Sequence, residues 1–246
     1  MLKKILSVSL IQIFENIYYV YNRIFRSKKK VNQSLKLEYN WTNIHFNRIA
    51  VLNLIISYLK NNNLKYLEIG CDENRLFDSI PLKFKVGVDP NRGGNIRKTS
   101  DSFFAETNEL FDIIFIDGLH TYQQVRRDAI NALNHLEKDG WVIFHDMIPL
   151  SWEEQHVPRI NSDWTGDCWK LIIELMNSRN IEFKIVTVDF GVLILRKTNE
   201  DYFIPNMESE LDNANYDLFL ENIKKMPLIN FEELKQYIQF NTISLD

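Results

Sequence analysis

Phe111-Asp112-Ile113-Ile114-Phe115-Ile116-Asp117, followed at once by Gly118-Leu119-His120-Thr121-Tyr122, is the stretch on which the fold turns. Its apolar run is rich in β-branched and aromatic residues and is bounded by acids. A strand buried on one face alternates apolar with polar residues. A short run that is apolar throughout belongs to a strand covered on both faces, as in a parallel sheet. Trp141 to Asp146 (WVIFHD) has the same character. Lys65 to Gly70 (KYLEIG) and Lys85 to Asp89 (KVGVD) are shorter β-rich runs, the first ending at glycine and the second at an acid.

Helical patterns separate these runs. Residues 43–60 read as an amphipathic helix. Residues 121–138 read as another, with Val125, Ala129, Ala132, Leu133 and Leu136 on its apolar face and Asp139-Gly140 as its stop. Cys168 to Met176 is helical, and residues 182–188 and 191–196 read as closing strands around Phe190-Gly191. Strands alternating with helices predict an α/β fold, a doubly wound Rossmann-like sheet in residues 31–199. Residues 151–167, rich in Trp, Pro and polar groups, read as a long loop or lid. Residues 200–246 read as a C-terminal helical appendage.

The 246 residues suffice for one large domain with a substantial core. A hydrophobic share of 45% with 25% charged residues excludes wholesale disorder, and a net charge of −4 gives no ground for a nucleic-acid partner. Cys71 and Cys168 have no metal spacing and suit a reducing, cytoplasmic setting.

The charge is unevenly placed. Residues 1–30 carry Lys3, Lys4, Arg23, Arg26 and Lys28 to Lys30 against Glu15 alone, a local +6 that leaves −10 for the remainder. In the same stretch Leu6, Leu10, Ile13, Ile17, Val20 and Ile24 recur at alternating spacings of four and three, an amphipathic helical stripe. Gln12, Glu15, Asn16, Asn22 and Arg23 interrupt what a membrane span of roughly 20 apolar residues would need. Three readings stay open. The helix packs on its own domain or on a symmetry mate as a homodimer. It lies on the inner face of a membrane, with Arg26 to Lys30 meeting anionic headgroups. Or it is a cleaved or anchoring segment.

In an open α/β sheet, ligands bind beyond the carboxyl ends of the strands. Here those ends are Glu68-Ile69-Gly70-Cys71, Asp89-Pro90, Asp117-Gly118-Leu119-His120 and His145-Asp146-Met147. Asp89 stands about 20 residues after the first strand's turn, where an acid can accept both ribose hydroxyls of a nucleoside. An Asp before Pro is also a common turn former.

The run from Tyr66 to Lys170 resembles class I S-adenosylmethionine-dependent methyltransferases. Within these it is most similar to the macrocin O-methyltransferase-like subgroup found in surface-polysaccharide gene clusters. The likeness is carried by Leu67 to Gly70, Val86 to Pro90, Thr99 to Phe104, Phe115 to Tyr122, Gly140 to Asp146 and Trp164 to Lys170. It implies a strand order 3-2-1-4-5-7-6 with the last strand antiparallel, and S-adenosyl-L-methionine as cofactor. One departure stands out: where such enzymes read Gly-x-Gly, Gly70 is followed by Cys71-Asp72-Glu73-Asn74. Asn74 tolerates the left-handed backbone that a second glycine would supply. Asp72 and Glu73 disfavour a pyrophosphate by like-charge repulsion, which speaks against NAD and leaves a sulfonium cofactor untroubled.

The resemblance places Glu68 and Gly70 near the methionine end of the cofactor, with Cys71 and Asn74 of the same loop also expected to bind it. It places Asp89 on the ribose and Ser100, Asp101 and Ser102 beside the adenine, with Asp117 and His120 also bordering the cofactor. His120 is the expected general base, His145 its competitor and Asp117 their neighbour. Asp117 and Asp146 would hold Mg²⁺, although Met147 stands where related enzymes place a further amide or acid. Trp152, Trp164 and Trp169, with His156 and Arg159, lie in or beside the lid. Aromatic faces among polar groups suit a sugar ring, so the expected acceptor is a sugar, a polysaccharide precursor or another small hydroxyl compound. The alternative is a catalytically silent Rossmann-like protein serving assembly or membrane recruitment.

Overall fold

The computed structural model describes residues 2–26, 37, 39–59, 61 and 63–243. In chain order the helices and strands are α1 (Leu2–Phe25), α2 (Arg48–Tyr58), β1 (Lys65–Ile69), α3 (Arg75–Ser79), β2 (Phe84–Val88), α4 (Ser100–Glu106) and β3 (Phe111–Ile116). There follow α5 (Tyr122–Asn134), β4 (Leu136–Phe144), α6 (Trp152–Gln155), α7 (Lys170–Met176), β5 (Ile181–Val186) and β6 (Val192–Lys197). The chain closes with α8 (Glu208–Leu211), α9 (Tyr216–Asn222), β7 (Leu228–Ile229) and α10 (Phe231–Ile243).

The strands form one sheet in the order β2-β1-β3-β4-β6-β5-β7. β2, β1, β3 and β4 run parallel, and β6 is antiparallel to both β4 and β5. This is the doubly wound, Rossmann-like sheet with a reversed strand that the sequence predicts. Alternate residues explain the unbroken apolar runs. Ile114, Ile116, Val142 and Phe144 enter one core, whereas Ile113, Phe115, Trp141 and Ile143 enter a second on the opposite face. All eight are at most 3% exposed. Transfer of such side chains from water contributes roughly 1.5–3 kcal/mol each, so the central strand pair dominates the stability of the site's platform.

The edges differ from expectation in physical detail. Beyond β2, where the resemblance implies a further strand, the chain makes one parallel bridge between Val88 and Ile96. Gly93 and Gly94, with φ of 67° and 62°, fold this segment back onto the loop after β1 instead. The seventh strand comes from the other end of the chain, because β7 pairs in parallel with β5.

Two boundaries are corrected. The helix expected over 121–138 ends at Asn134, and Leu136 is the first residue of β4, paired with Phe111. Asp139 then takes φ 65° and the register shifts along the strand, so Asp139-Gly140 is an irregularity inside β4 and not a helix stop. The helix expected over 43–60 begins at Arg48, because Asn47 caps it by accepting from the Ile49 and Ala50 N–H groups at 3.0 and 3.4 Å. Residues 200–246 are more than an appendage. Phe219 of α9 is fully buried in the first core, and Leu234 and Ile238 of α10 are fully buried in the second with Val51, Leu52 and Ile55 of α2.

Candidate functional site

The carboxyl ends of β1, β3 and β4 meet at Gly70. Its φ of +86° and its setting both require glycine, since a Cβ there would lie 2.0 Å from the Asp117 carbonyl oxygen. That close approach brings the residue after β1 against the residue after β3. Asp117 follows β3 directly, and His145 and Asp146 follow β4. Asp146 itself takes φ 59°.

Four side chains converge there. His120 Nε2 stands 3.2 Å from Asp117 Oδ1, while His120 Nδ1 faces the Trp164 carbonyl at 3.1 Å and Asp146 Oδ2 at 3.4 Å. His145 Nδ1 stands 3.2 Å from Asp146 Oδ2 and 3.5 Å from Asp117 Oδ1, yet it makes no hydrogen bond of good geometry and is buried. On its other side His145 Nε2 lies 3.4 Å from Asp189 Oδ2. Asp189, in the β5–β6 turn, accepts from the Arg48 N–H at 3.1 Å and from Arg48 Nη1 at 2.8 Å. Trp164 stacks on His120 with ring centroids 5.2 Å apart.

These contacts set the charges. Burial works against an imidazolium at His145, but Asp146 and Asp117 outweigh it and raise its pKa well above the ordinary value. His120 is raised by Asp146 and Asp117 against the same burial. Burial would raise Asp117, yet His145 and His120 hold it well below the carboxylate range. Asp189 is likewise held down against burial by His145 and Arg48. Glu68 goes the other way. Burial pushes its carboxyl up to about 7, against the hydrogen bond from Tyr66 Oη at 2.6 Å and with help from Asp117.

Two cavities open at this edge and share Gly70, Asp72, Asn91, Asp117 and Gly118. One, of about 610 Å³, is lined by Glu68, Asp117, His120, His145, Asp146 and the lid residues Arg159 and Trp164, among others. The other, of about 440 Å³, is bordered by Asp89, Ser100, Leu119 and Gln124. Asp89 is buried and accepts three backbone N–H groups, from Asp72 at 3.1 Å and from Asn91 and Arg92 at 2.8 and 2.9 Å. It is thus the turn former, and a carboxylate with about four lone-pair sites keeps capacity for a ligand hydroxyl.

Of the expected residues, Gly70 and Asp117 line both cavities, Glu68, Cys71, His120, His145 and Asp146 the first, and Asp89 and Ser100 the second. Asn74 has the left-handed geometry, φ 62°, but its Oδ1 is turned to the Gly94 N–H at 2.6 Å. Cys71 is 4% exposed, and burial pushes its thiol up, which keeps it in the neutral form. Asp101 and Ser102 border neither cavity. One step along α4 past Ser100 turns them outward, where Asp101 meets Arg127 and Ser102 meets Thr99. Of the lid aromatics, Trp164 reaches the site. Trp152 packs on His156 and Trp169 is fully buried core. Arg48 and Asp189 escape the sequence reading. Their contact spans 141 residues, and neither stands at the end of a parallel strand.

Residues 82–147 match the family model of a methyltransferase domain. The matched segment runs from just before β2 to just past β4 and holds Asp89, Asp117, His120, His145 and Asp146. An uncharacterized protein of Acanthamoeba polyphaga mimivirus is 24% identical over 148 residues, 48% of this chain and 66% of the viral protein. The chain therefore spans about two thirds of that relative. Among solved structures, the S-adenosylhomocysteine-bound methyltransferase PaMTH1 of Podospora anserina is 14% identical, with 66% of this chain and 83% of that one covered and a TM-score of 0.45. The O-methyltransferase TomG of Streptomyces achromogenes, in complex with S-adenosylmethionine, is 13% identical, with 61% and 79% covered and a TM-score of 0.43.

The donor sets suit two guests. Asp117, His120 and Asp146 offer ligand atoms within 4.8 Å of one another. That spread accommodates a divalent cation with bonds of ~2.0–2.2 Å, and two hard carboxylates suit Mg²⁺ while the imidazole broadens the choice. The unpartnered His145 Nδ1 points at the same two acids. The paired cavities, acid-lined along their shared rim, fit an elongated nucleoside with a cationic end.

Proposed function

We propose that the protein transfers a methyl group from S-adenosyl-L-methionine to a hydroxyl of a sugar, a polysaccharide precursor or a related small acceptor. The observation that carries this reading is the meeting of His120, Asp117 and Asp146 on one cavity, under Trp164, beside a second cavity that ends at Asp89. The cofactor supplies an activated methyl on a sulfonium, and the remaining work falls to the chain.

Asp89 holds the ribose end, and Ser100 borders the same pocket. Gly70 and the Glu68 carboxyl receive the opposite end of the cofactor, where a neutral or ionised Glu68 can each hydrogen-bond an amino group. Asp117 and Asp146 are the residues that would hold a divalent cation, which would lower the pKa of a hydroxyl bound to it. His120 Nε2 faces the cavity beside Asp117, while Nδ1 is tied to the Trp164 carbonyl. With the Nδ1 proton on that carbonyl, the neutral ring would take the acceptor's proton at Nε2, in place of the contact with Asp117. Trp164 and Arg159 border the cavity where a sugar ring would sit, and the lid that carries them keeps water from the reacting atoms.

The test is calorimetry with S-adenosylhomocysteine, in Mg²⁺ and then in EDTA, joined to a screen of sugars for release of S-adenosylhomocysteine. Micromolar-range binding in both buffers is expected. His120→Ala should keep that binding within about threefold while lowering turnover on any acceptor found by 10²-fold or more. Equal loss of binding and turnover would remove His120 as the base, and absence of cofactor binding would turn the reading to a silent domain.

A further inference from the structure

The described part of α1 turns Tyr19 and Asn22 to the domain and its apolar side to solvent. Phe14, Ile17, Tyr21, Ile24 and Phe25 are 52–72% exposed. With Ile13, Tyr18 and Val20 they fall within an arc of roughly 160° on a helix of 3.6 residues per turn. On the opposite side Asn22 is fully buried, and its Nδ2 donates to the Arg159 carbonyl at 2.9 Å. The Arg159 guanidinium lies 5.0 Å from the Tyr19 ring centre and 5.7 Å from that of Trp164, which in turn stacks on His120. A column of Tyr19, Arg159, Trp164 and His120 therefore joins this helix to the reacting centre.

We propose that α1 is an interfacial helix that seats the protein on an anionic lipid surface and steadies the lid over the acceptor cavity. A contiguous exposed apolar face rimmed by polar residues marks an interaction surface. Charge decides what covers it. Residues 1–30 hold a net +6 and the rest of the chain −10. A second copy would set one +6 segment against another in either orientation, since Lys3 and Lys4 mark one end and Arg23 to Lys30 the other. An anionic bilayer attracts this segment and repels the remainder, which fixes the orientation. The width of the arc agrees. Phe14, Tyr18, Tyr21 and Phe25 broaden the aliphatic seam on one flank, which suits a planar interface better than the narrow seam of a two-stranded coil. Among the described residues no helix is long and apolar enough to cross a membrane. Of the basic cluster, residues 27–30 lie outside the described residues and enter through their charge alone. The acceptor that reaches a cavity beside such a helix is membrane-borne, a point that rests on the methyl-transfer reading.

The experiment is flotation of the full chain with phosphatidylcholine vesicles, with or without about one third phosphatidylglycerol as probe, in about 0.1 M salt or below, where the Debye length is ~10 Å or more. Wild type should float with the anionic vesicles and bind pure phosphatidylcholine at least tenfold more weakly. Ile17→Asp/Ile24→Asp, at two exposed positions on the solvent side of α1, should abolish flotation. S-adenosylhomocysteine calorimetry on the same variant, unchanged from wild type, shows that the fold is intact. Failure of wild type itself to bind S-adenosylhomocysteine would strike the methyl-transfer reading and leave the docking result standing. Wild type that stays unbound, or a double variant that floats equally, overturns the proposal. So does a concentration-dependent dimer that the same substitutions dissolve, without vesicle binding. For the lid, hydrogen exchange over residues 156–166 on vesicles should be tenfold or more slower in wild type than in Asn22→Ala, and equal rates refute the coupling.

Discussion

Replacing Glu68 by glutamine tests the electrostatics of the site without disturbing its shape. The side chain is 1% exposed and receives the Tyr66 hydroxyl proton at 2.6 Å, a bond that a glutamine carbonyl oxygen can also accept. Burial raises the carboxyl from 4.5 to about 7 in the folded protein. The sign follows from proton binding. Between about 4.5 and about 7 the folded state holds a proton that the unfolded chain has lost, so folding stability falls as pH rises through this window and is level beyond it. At about 1.36 kcal/mol per pKa unit, the decline attributable to Glu68 is on the order of 3 kcal/mol. Glu68→Gln removes that decline. Urea unfolding of both proteins at pH 5, 6, 7 and 8 should show the variant gaining about 2–3 kcal/mol on wild type between the first and last values. Other titrating groups, Asp128 among them, cancel in the difference. A gap between the two proteins that does not change with pH would refute the reasoning, because it would mean that Glu68 is ionised throughout.

Gly70→Ala should cost more than about 3 kcal/mol in urea unfolding, since strain at positive φ of roughly 1–3 kcal/mol adds to a 2.0 Å backbone contact. Gly118→Ala, whose Cβ would meet nothing nearer than Ile69 Cγ2 at 3.5 Å, should stay within about 1 kcal/mol of wild type. Asn74→Gly loses only the bond to the Gly94 N–H, about 1 kcal/mol. Asn74→Ala loses a further ~1–2 kcal/mol because it must hold φ 62°, and a reversed order in thermal unfolding would refute the conformational role. Asp189→Asn should destabilise by about 1.5–3 kcal/mol at pH 7, the range for hydrogen bonds to a charged group. Because the folded carboxyl is held below its ordinary 3.8, the deficit is full above that value and shrinks as pH falls below it; a deficit of equal size at pH 3 would count against the Arg48 pairing.

Most of the sheet was legible because FDIIFID and WVIFHD can bury both faces only inside a covered sheet. The strand-end acids were legible for the same reason, since polar groups that follow such runs fall on one edge. The end of α5 was not, because Leu136 is buried whether it continues a helix or opens a strand, and apolar character alone does not separate the two. The C-terminal segment read as peripheral because its sequence is polar on average. Its few apolar residues, Phe219, Leu234 and Ile238, nonetheless fill fully buried positions. In the site, residues adjacent to strand ends were found and those brought in from elsewhere were missed. Arg48 begins a helix and Asp189 sits in a hairpin turn, and only the closed fold brings them to His145. Asp101 and Ser102 follow Ser100 in sequence yet border neither cavity, since neighbours in sequence on a helix point about 100° apart.

The two carboxyls nearest Gly70 are driven in opposite directions by what surrounds them, and that separation is what gives the site a direction. Glu68 has a phenol for its hydrogen-bond partner, and burial outweighs the charge of Arg48 to bring its pKa up to about 7. Asp117 lies between two imidazoles and is held ionised. Groups whose environments push their pKa values apart mark the division of roles in an active site. Here the permanent negative charge stands with His120 and Asp146 under the lid, where a cation or a hydroxyl proton would be handled. The switchable carboxyl stands beneath the shared rim of the two cavities, where a cationic ligand arriving at neutral pH would draw its proton off. The same pattern accounts for the loop after Gly70. Asp72 and Glu73 pair with Arg92, so the loop is held by ion pairs across Gly93 and Gly94 in place of a second glycine of its own.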